Sequence, residues 1–461
     1  MAKLLEDRFP EVASTQPELV AHHYTEGNCP AQAIAYWHKA GVAAARQSAN
    51  VEALDQFQRG LALVEALPDT RERAARELDL QMALGPALSA TKIPSHPDIG
   101  RTYARASELC RELGDDPRRF TALRGLEFHH LNLLEMEKAQ HLAEEVLRVA
   151  ERLDDAARLV GAHMALGGVL YYQGKLEPAL ARFRRGFEMF DPDMQFPDWP
   201  GPHPGVVCQF FPMLISWMLG YPDRSLGELQ AAVGSAETLG HPYTLAQTLC
   251  FAALIHIFRR DPSAIADFSG RALKMCEEHR IAQYHAYALC VDGWALGVAG
   301  EGEKGLAQIA QGVDGYGAAG LHSLLALQAD AQLASGKPEE ALASAAAGLE
   351  AVEKTGGAPL EAELWRLRGE ALLAGAGTVS EVEAAIEQGI AIARRQNAKS
   401  WELRCAMSLA RLRRQQGRSQ EAAALLAPIL GWFTEGFDTA DLKEAKALLD
   451  KLTEPAIAAE G

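Results

Sequence analysis

Gly336-Lys337-Pro338-Glu339, with Ala341 two residues on, closes one amphipathic segment and opens another. The same punctuation stands at Gly174-Lys175-Leu176-Glu177 with Ala179, at Gly300-Glu301-Gly302-Glu303 with Gly305, and at Gly417-Arg418-Ser419-Gln420 with Ala422. Looser copies lie at Gly220-Tyr221-Pro222-Asp223 and Arg260-Asp261-Pro262-Ser263. Each part has a mechanical reason. Glycine takes the left-handed conformation that ends a helix, and proline or an acidic residue suits the first turn of the next. The small residue lets two helices approach closely. From position 220 to 260 is 40 residues, from 260 to 300 is 40, and from 300 to 336 is 36. From 336 to 417 is 81, two periods around a weaker turn at Gly375–Gly377. One helix pair per ~34–40 residues is the unit of a helical repeat array.

The flanking segments support helices over strands. In Leu159 to Tyr172 the residues Val160, Met164, Gly167, Leu170 and Tyr171 recur at three- and four-residue steps, and Ala362 to Ala374 and Trp401 to Gln415 repeat that pattern. The expected fold is all-α: a tetratricopeptide-type α-solenoid, a right-handed superhelix of antiparallel helix pairs. Residues 1–133 read as less regular helical repeats, with hairpins across Pro17–Ser48 and Asn50–Ala90 and helices at Asp98–Leu113 and Pro117–Leu133. Residues 134–440 read as the array proper, with a loop inserted at 191–204 that holds five prolines. Residues 441–461 read as a polar capping helix and a frayed tail.

Composition narrows the function. The 461 residues are 48% apolar, enough for a core along the whole length, and the formal net charge is −16. So acidic a chain does not attract phosphate backbones, and nucleic acid is excluded as the default partner. Seven scattered cysteines with no C-x-x-C pair read as buried apolar residues in a reducing compartment. Lys3, Glu6, Asp7 and Arg8 leave no room for a signal-peptide core. Val206 to Gly220 is too short and too interrupted to span a bilayer, so no membrane is expected and the location reads as cytoplasmic.

Motifs that would carry chemistry are missing or out of context. No Walker A sequence, H-E-x-x-H or G-x-S-x-G elbow is present. Gly315-Tyr316-Gly317-Ala318-Ala319-Gly320 matches G-x-G-x-x-G, but a dinucleotide site needs a preceding strand, and here a repeat helix precedes it. His22-His23 and His129-His130 point about 100° apart on a helix and read as helix-surface or core histidines rather than a metal site. The reading is a non-enzyme with no cofactor and no metal.

Repeat geometry gives a candidate binding face. The first helix of each pair lines the concave groove of such arrays. Counting back seven from each turn aligns Gly167, Met213, Ala253, Gly293, Ala329 and Ala410. Groove-facing positions then include Tyr171, Tyr172, Phe210, Trp217, Phe258, Tyr287 and Trp294, with Arg404, Arg411 and Arg414 in the last repeat. Aromatics ending in arginines suit an extended peptide with an acidic residue or a terminal carboxylate. The bland alternative, that the aromatics pack between helices and the arginines are solvated, weighs more heavily, because a one-residue register error turns several side chains away.

Non-periodic stretches carry a further signal: Leu5-Glu6-Asp7-Arg8-Phe9-Pro10, Gln16-Pro17-Glu18-Leu19 with Ala21-His22-His23-Tyr24, Ser48-Ala49-Asn50-Val51-Glu52-Ala53, Leu84-Gly85-Pro86-Ala87-Leu88, and Gly431-Trp432-Phe433-Thr434-Glu435-Gly436-Phe437-Asp438-Thr439-Ala440-Asp441-Leu442. These resemble the C-terminal tetratricopeptide-repeat region of bacterial signalling proteins in which a class III adenylate or guanylate cyclase domain and a STAND/AAA-type ATPase module precede the repeats. The resemblance implies a sensor or regulatory array whose partner is a protein or peptide segment, or a cyclase or ATPase module. Two other readings stay open: a small-molecule-sensing repeat domain, and the regulatory remnant of a cyclase.

Overall fold

The structure is a computed structural model that describes residues 1–47, 49–196, 199, 201–316 and 320–454. Among the described residues it holds 24 α-helices, one 3-10 turn and no strand. The chain falls into two compact units, Met1–Ala162 with Trp199, and His163–Phe196 with the chain from Gly201 onward.

The first unit begins with short helices α1 (Ala2–Arg8) and α2 (Pro10–Thr15), then α3 (Pro17–Glu26), α4 (Pro30–Arg46) and α5 (Asn50–Ala62). It continues with α6 (Arg71–Thr91), α7 (Pro97–Leu113), α8 (Asp116–Asn132) and α9 (Met136–Leu153). Phe57, Leu78, Leu84, Tyr103 and Leu109 fill its core. Inside α8, Glu127 is fully enclosed beside Arg124, and burial raises its carboxyl to about 7 against the pull of that guanidinium.

The chain passes into the second unit within α10 (Ala156–Tyr172). Helix pairs follow in strict alternation: α11 (Leu176–Met189), α12 (Pro204–Met218), α13 (Pro222–Leu239), α14 (Pro242–Arg259), α15 (Pro262–His279), α16 (Ala282–Val298) and α17 (Gly302–Gly315). Then come α18 (Leu321–Ala334), α19 (Pro338–Thr355), α20 (Glu361–Ala374), α21 (Val379–Arg395), α22 (Lys399–Gln415), α23 (Ser419–Leu430) and α24 (Ala440–Thr453). The repeat grammar is visible in the backbone. Gly174, Gly220, Gly300, Gly336 and Gly417 all have positive φ, and Arg260 takes the same conformation at φ +56° without glycine's freedom. Close approach explains Gly305: a Cβ on Gly293 would lie 2.6 Å from the Gly305 carbonyl oxygen, and one on Gly305 would run into the Gly293 carbonyl. Thus α16 and α17 cross backbone to backbone.

The proline-rich segment is non-helical from Asp191 to His203, with Pro197, Asp198 and Pro200 outside the described residues. The tail beyond Glu454 and positions 317–319 of the glycine motif also lie outside them. Gly315 ends α17, and no strand precedes it.

The second unit closes on itself. Ser400 Oγ, at the start of α22, donates to the Trp217 carbonyl at 2.5 Å, 183 positions away. Asn397 Nδ2 reaches Glu177 Oε2 at 3.0 Å. The Gly436 amide donates to Asp223 Oδ2, while the Asp223 and Arg224 amides donate to Glu435 Oε1, all at 2.9 Å. Turns between early helix pairs therefore dock on the last pairs, through bonds that no neighbouring repeat could make.

Candidate functional site

Arg404, on α22, is the node of the interior. Its Nε donates to Asp441 Oδ2 at 2.7 Å, its Nη2 to the Phe258 carbonyl at 2.6 Å, and its Nη1 lies 3.5 Å from Glu363 Oε1. The guanidinium carbon sits 5.1 Å from the Trp217 ring and 5.3 Å from the Trp401 ring. Trp217 and Phe258 lie 4.7 Å apart, and Trp401 is 4.7 Å from Trp217 and 5.1 Å from Phe258. The charge network continues along α20, where Arg366 holds Glu363 through two bonds of 2.8 Å and lies 3.9 Å from Asp330. Trp294 Nε1 donates to Asp330 Oδ2 at 2.9 Å. Burial pushes the Glu363 carboxyl up, but the charges and hydrogen bonds of Arg366, with the charge of Arg404, keep it below its ordinary value. Breaking such a pair is costly because the remaining charge stays buried; Asp441 Oδ1 already lacks a hydrogen bond, with Arg260 Nε 3.6 Å away. A cavity of about 10 Å³ beside Trp217, Phe258, Leu403 and Asp441 has room for roughly one water.

A second cluster is aromatic. Phe210 stacks on Phe251 at 5.3 Å, Phe251 meets Tyr287 at 5.2 Å, and Tyr287 meets Tyr316 at 5.7 Å. Phe211 joins this series to Tyr171 at 4.9 Å and to Phe210 at 4.6 Å, and Tyr172 lies edge-on to Tyr171. Tyr243 Oη donates to Gln283 Oε1 at 3.0 Å. Burial raises all these phenols, that of Tyr243 to about 12 and those of Tyr171, Tyr172, Tyr284, Tyr287 and Tyr316 further, so they remain neutral donors. The Tyr287 hydroxyl is buried and meets no hydrogen-bond partner, and neither does Gln247 Oε1 on α14.

The structure thus distributes the ten residues of the sequence reading over three places. Trp217, Phe258, Trp294 and Arg404 share the charge network. Tyr171, Tyr172, Phe210 and Tyr287 share the aromatic cluster. Arg411 and Arg414 stand apart: Arg411 donates to Glu444 Oε1 at 2.5 Å at a half-exposed site, and Arg414 is exposed. Sequence reasoning missed Glu363, Arg366, Asp330, Trp401 and Asp441. The available signal was the Glu363/Arg366 pair, charged residues three apart within a first helix whose faces are nearly all covered. Among the described residues no three His, Cys, Asp or Glu side chains are grouped to hold a metal ion, and no helix is long and apolar enough to cross a membrane. His129 Nδ1 sits 2.8 Å from the Pro94 carbonyl and His130 Nδ1 2.5 Å from Glu135.

No protein-family model matches the chain, and no curated protein matches it. Solved structures do. A Rap protein complexed with competence and sporulation factor is similar at 11% identity over 85% of this chain and 99% of its own, with a TM-score of 0.46. The Rap conjugation gene regulator of plasmid pLS20, in complex with the Phr* peptide, matches at 14% identity over 69% and 79%, TM-score 0.43. A STAND protein with a tetratricopeptide repeat sensor, from Pyrococcus horikoshii, matches at 12% identity over 83% and 54%, TM-score 0.43.

Proposed function

We propose that this chain is a non-enzymatic, cytoplasmic scaffold that binds a peptide or protein segment against the first helices of its second unit, as the sensor or regulatory array of a bacterial signalling system. The observation that carries the reading is where buried polar atoms lack partners. Among the described residues of the second unit's first helices these are His163 Nδ1, Ser216 Oγ, Gln247 Oε1, His256 Nδ1, Tyr287 Oη, His322 Nε2, Gln332 Oε1 and Arg413 Nε, whereas α13, α15, α17 and α19 contribute only Glu228 Oε2. A buried polar group left unpaired costs about 1–3 kcal/mol. These atoms are enclosed, so a peptide backbone, which carries a donor and an acceptor at each residue, would supply what they lack once the inner helices part. Tyr171, Tyr172, Phe210, Trp217, Phe258, Tyr287 and Trp294 would then form the aromatic middle of the groove, with Arg404, Arg411 and Arg414 of α22 at one end.

A second reading, a small-molecule sensor, draws on the same aromatic cluster, because neutral phenols with an unused hydroxyl suit an uncharged aromatic ligand. One experiment separates the readings. The purified chain is offered to a bacterial extract, and whatever it retains is identified by mass spectrometry. A retained polypeptide lost on Arg411→Glu with Arg414→Glu, and weakened by Tyr287→Phe, supports the scaffold. A retained metabolite lost on Tyr287→Phe alone supports the sensor. A retained polypeptide indifferent to all three substitutions overturns the groove assignment.

A further inference from the structure

A cavity of about 600 Å³ lies in the first unit, within the range of ligand sites, and shares no lining residue with the inner helices of the second. One wall is a face of α4 on which Lys39, Val42, Ala43 and Arg46 recur at i, i+3, i+4 and i+7. The facing wall is mainly apolar: Pro10 and Ala13 of α2, and Pro17, which opens α3, with the Ser14 hydroxyl turned to the Glu11 carbonyl. Phe9, next to Pro10, is 51% exposed. The wall of α4 is thus an apolar centre between two cations two helical turns apart, about 10 Å along the axis.

Arg59, Arg76, Arg105 and Arg118 of the same unit each hold a carboxylate. Among the described residues neither Lys39 nor Arg46 has an ion-pair partner, and Lys39 Nζ rests 4.5 Å over the Tyr36 ring. The lining carboxylate, Glu6, is already engaged. The Tyr24 hydroxyl donates to it, and hydrogen bonds from Tyr24 and Tyr36, more than the charge of Lys39, hold it below its ordinary value. His38 at the rim is lowered by burial, more than the Asp79 carboxylate raises it, and adds no fixed charge.

We infer that this groove is a docking site for an acidic amphipathic helix of a protein partner, with carboxylates two turns apart pairing with Lys39 and Arg46 and an apolar stripe between them on Val42, Ala43, Pro10 and Ala13. Charge complementarity selects the sign, since Lys39 and Arg46 have no carboxylate within ion-pair distance among the described residues and outnumber Glu6, the one lining carboxylate. The spacing selects the conformation, since Lys39 and Arg46 stand two helical turns apart with Val42 and Ala43 between them, the period at which a helix repeats its own side chains.

The test uses the full chain and three fluorescent 18-residue helical peptides. They share one Leu/Ala stripe and carry Glu, Gln or Lys at two positions seven apart. The Glu peptide is expected to bind, the Gln peptide roughly fivefold or more weakly, and the Lys peptide not measurably. Lys39→Glu with Arg46→Glu, both exposed and expected to leave the circular dichroism unchanged, should reverse that order. Benzoylphenylalanine in place of Val42 should cross-link the Glu peptide, which fixes the site. Equal binding of the three peptides, binding without a cross-link at Val42, or no binding of the Glu peptide overturns the inference. So does a concentration-dependent dimer of the chain alone that the double reversal dissolves, because it would assign the groove to a second copy. Arg411, Arg414 and Tyr287 are untouched throughout, so the outcome is independent of the scaffold reading.

Discussion

Arg404 is surrounded by two carboxylates, a carbonyl and two indoles, and what its removal leaves behind matters more than what its bonds contribute. Arg404→Leu leaves Asp441 only the more distant Arg260, at 3.6 Å, and shifts the load of Glu363 onto Arg366, in a site where Arg404 itself is 7% exposed. Breaking one side of a buried pair costs about 3–5 kcal/mol, while replacing both sides by apolar residues is often neutral. Urea unfolding should therefore show Arg404→Leu destabilised by that amount and Arg404→Leu with Asp441→Leu recovering much of it. Strict additivity of the two single substitutions would refute the coupling. His322 makes a pH prediction at the same scale. Burial lowers its pKa to about 4, against about 6.5 in an unfolded chain. Between those values the unfolded state binds more protons, so the contribution is complete above pH 6.5 and fades as the pH falls towards 4. His322→Leu should remove roughly 3 kcal/mol of that acid loss, read as a flatter plot of urea midpoint against pH. Some slope should remain, because His163 is lowered to about 4 as well, by burial first and then by the charges of Arg182 and Arg185.

At the scale of elements, the turn between paired helices was the legible feature, because its requirement is local. A residue at positive φ strains any side chain, so glycine recurs there and marks the period. Where glycine is missing the strain should be measurable. Arg280, at the C-cap of α15, holds φ +56° with an exposed side chain, whereas Gly336 holds φ +71° with open space around it. Arg280→Gly should stabilise and Gly336→Ala destabilise, each by about 1 kcal/mol. That is a shift of about 2–4 °C in opposite directions by calorimetry; equal signs would refute the backbone argument. What stayed illegible was the closure partner. Counting from the turns put Trp217, Phe258, Trp294 and Arg404 on first helices, but no periodicity signals that Arg404 meets Asp441 37 positions on and the Phe258 carbonyl 146 positions back. Glu363 and Arg366 were passed over because on an isolated helix a Glu–Arg pair three apart reads as solvated.

At the scale of the second unit, closure changes what a repeat array is expected to do. Stability in an open array is a sum of neighbour terms, so loosening one end leaves the other untouched. Here the loop from Trp432 to Thr439 and the turn at Gly220–Arg224 share three backbone-to-carboxylate bonds, and Arg260 adds contacts to Asp441 at 3.6 Å and Glu444 at 3.1 Å. Loosening one side should free the other. Glu435→Ala removes the acceptor of two amides at an exposed site, and Asp223→Ala removes that of the third, so neither change burdens the core. Hydrogen exchange should quicken in both substituted proteins at two places more than 200 residues apart, the start of α13 and the segment leading into α24. In α18 and α19, which take no part in these bonds, it should stay unchanged. Faster exchange confined to the mutated side would mean that the two segments are held by their own repeats and that the array is energetically open. Coupled exchange would mean that two turns more than 200 positions apart belong to one cooperative unit, so that the array is energetically closed.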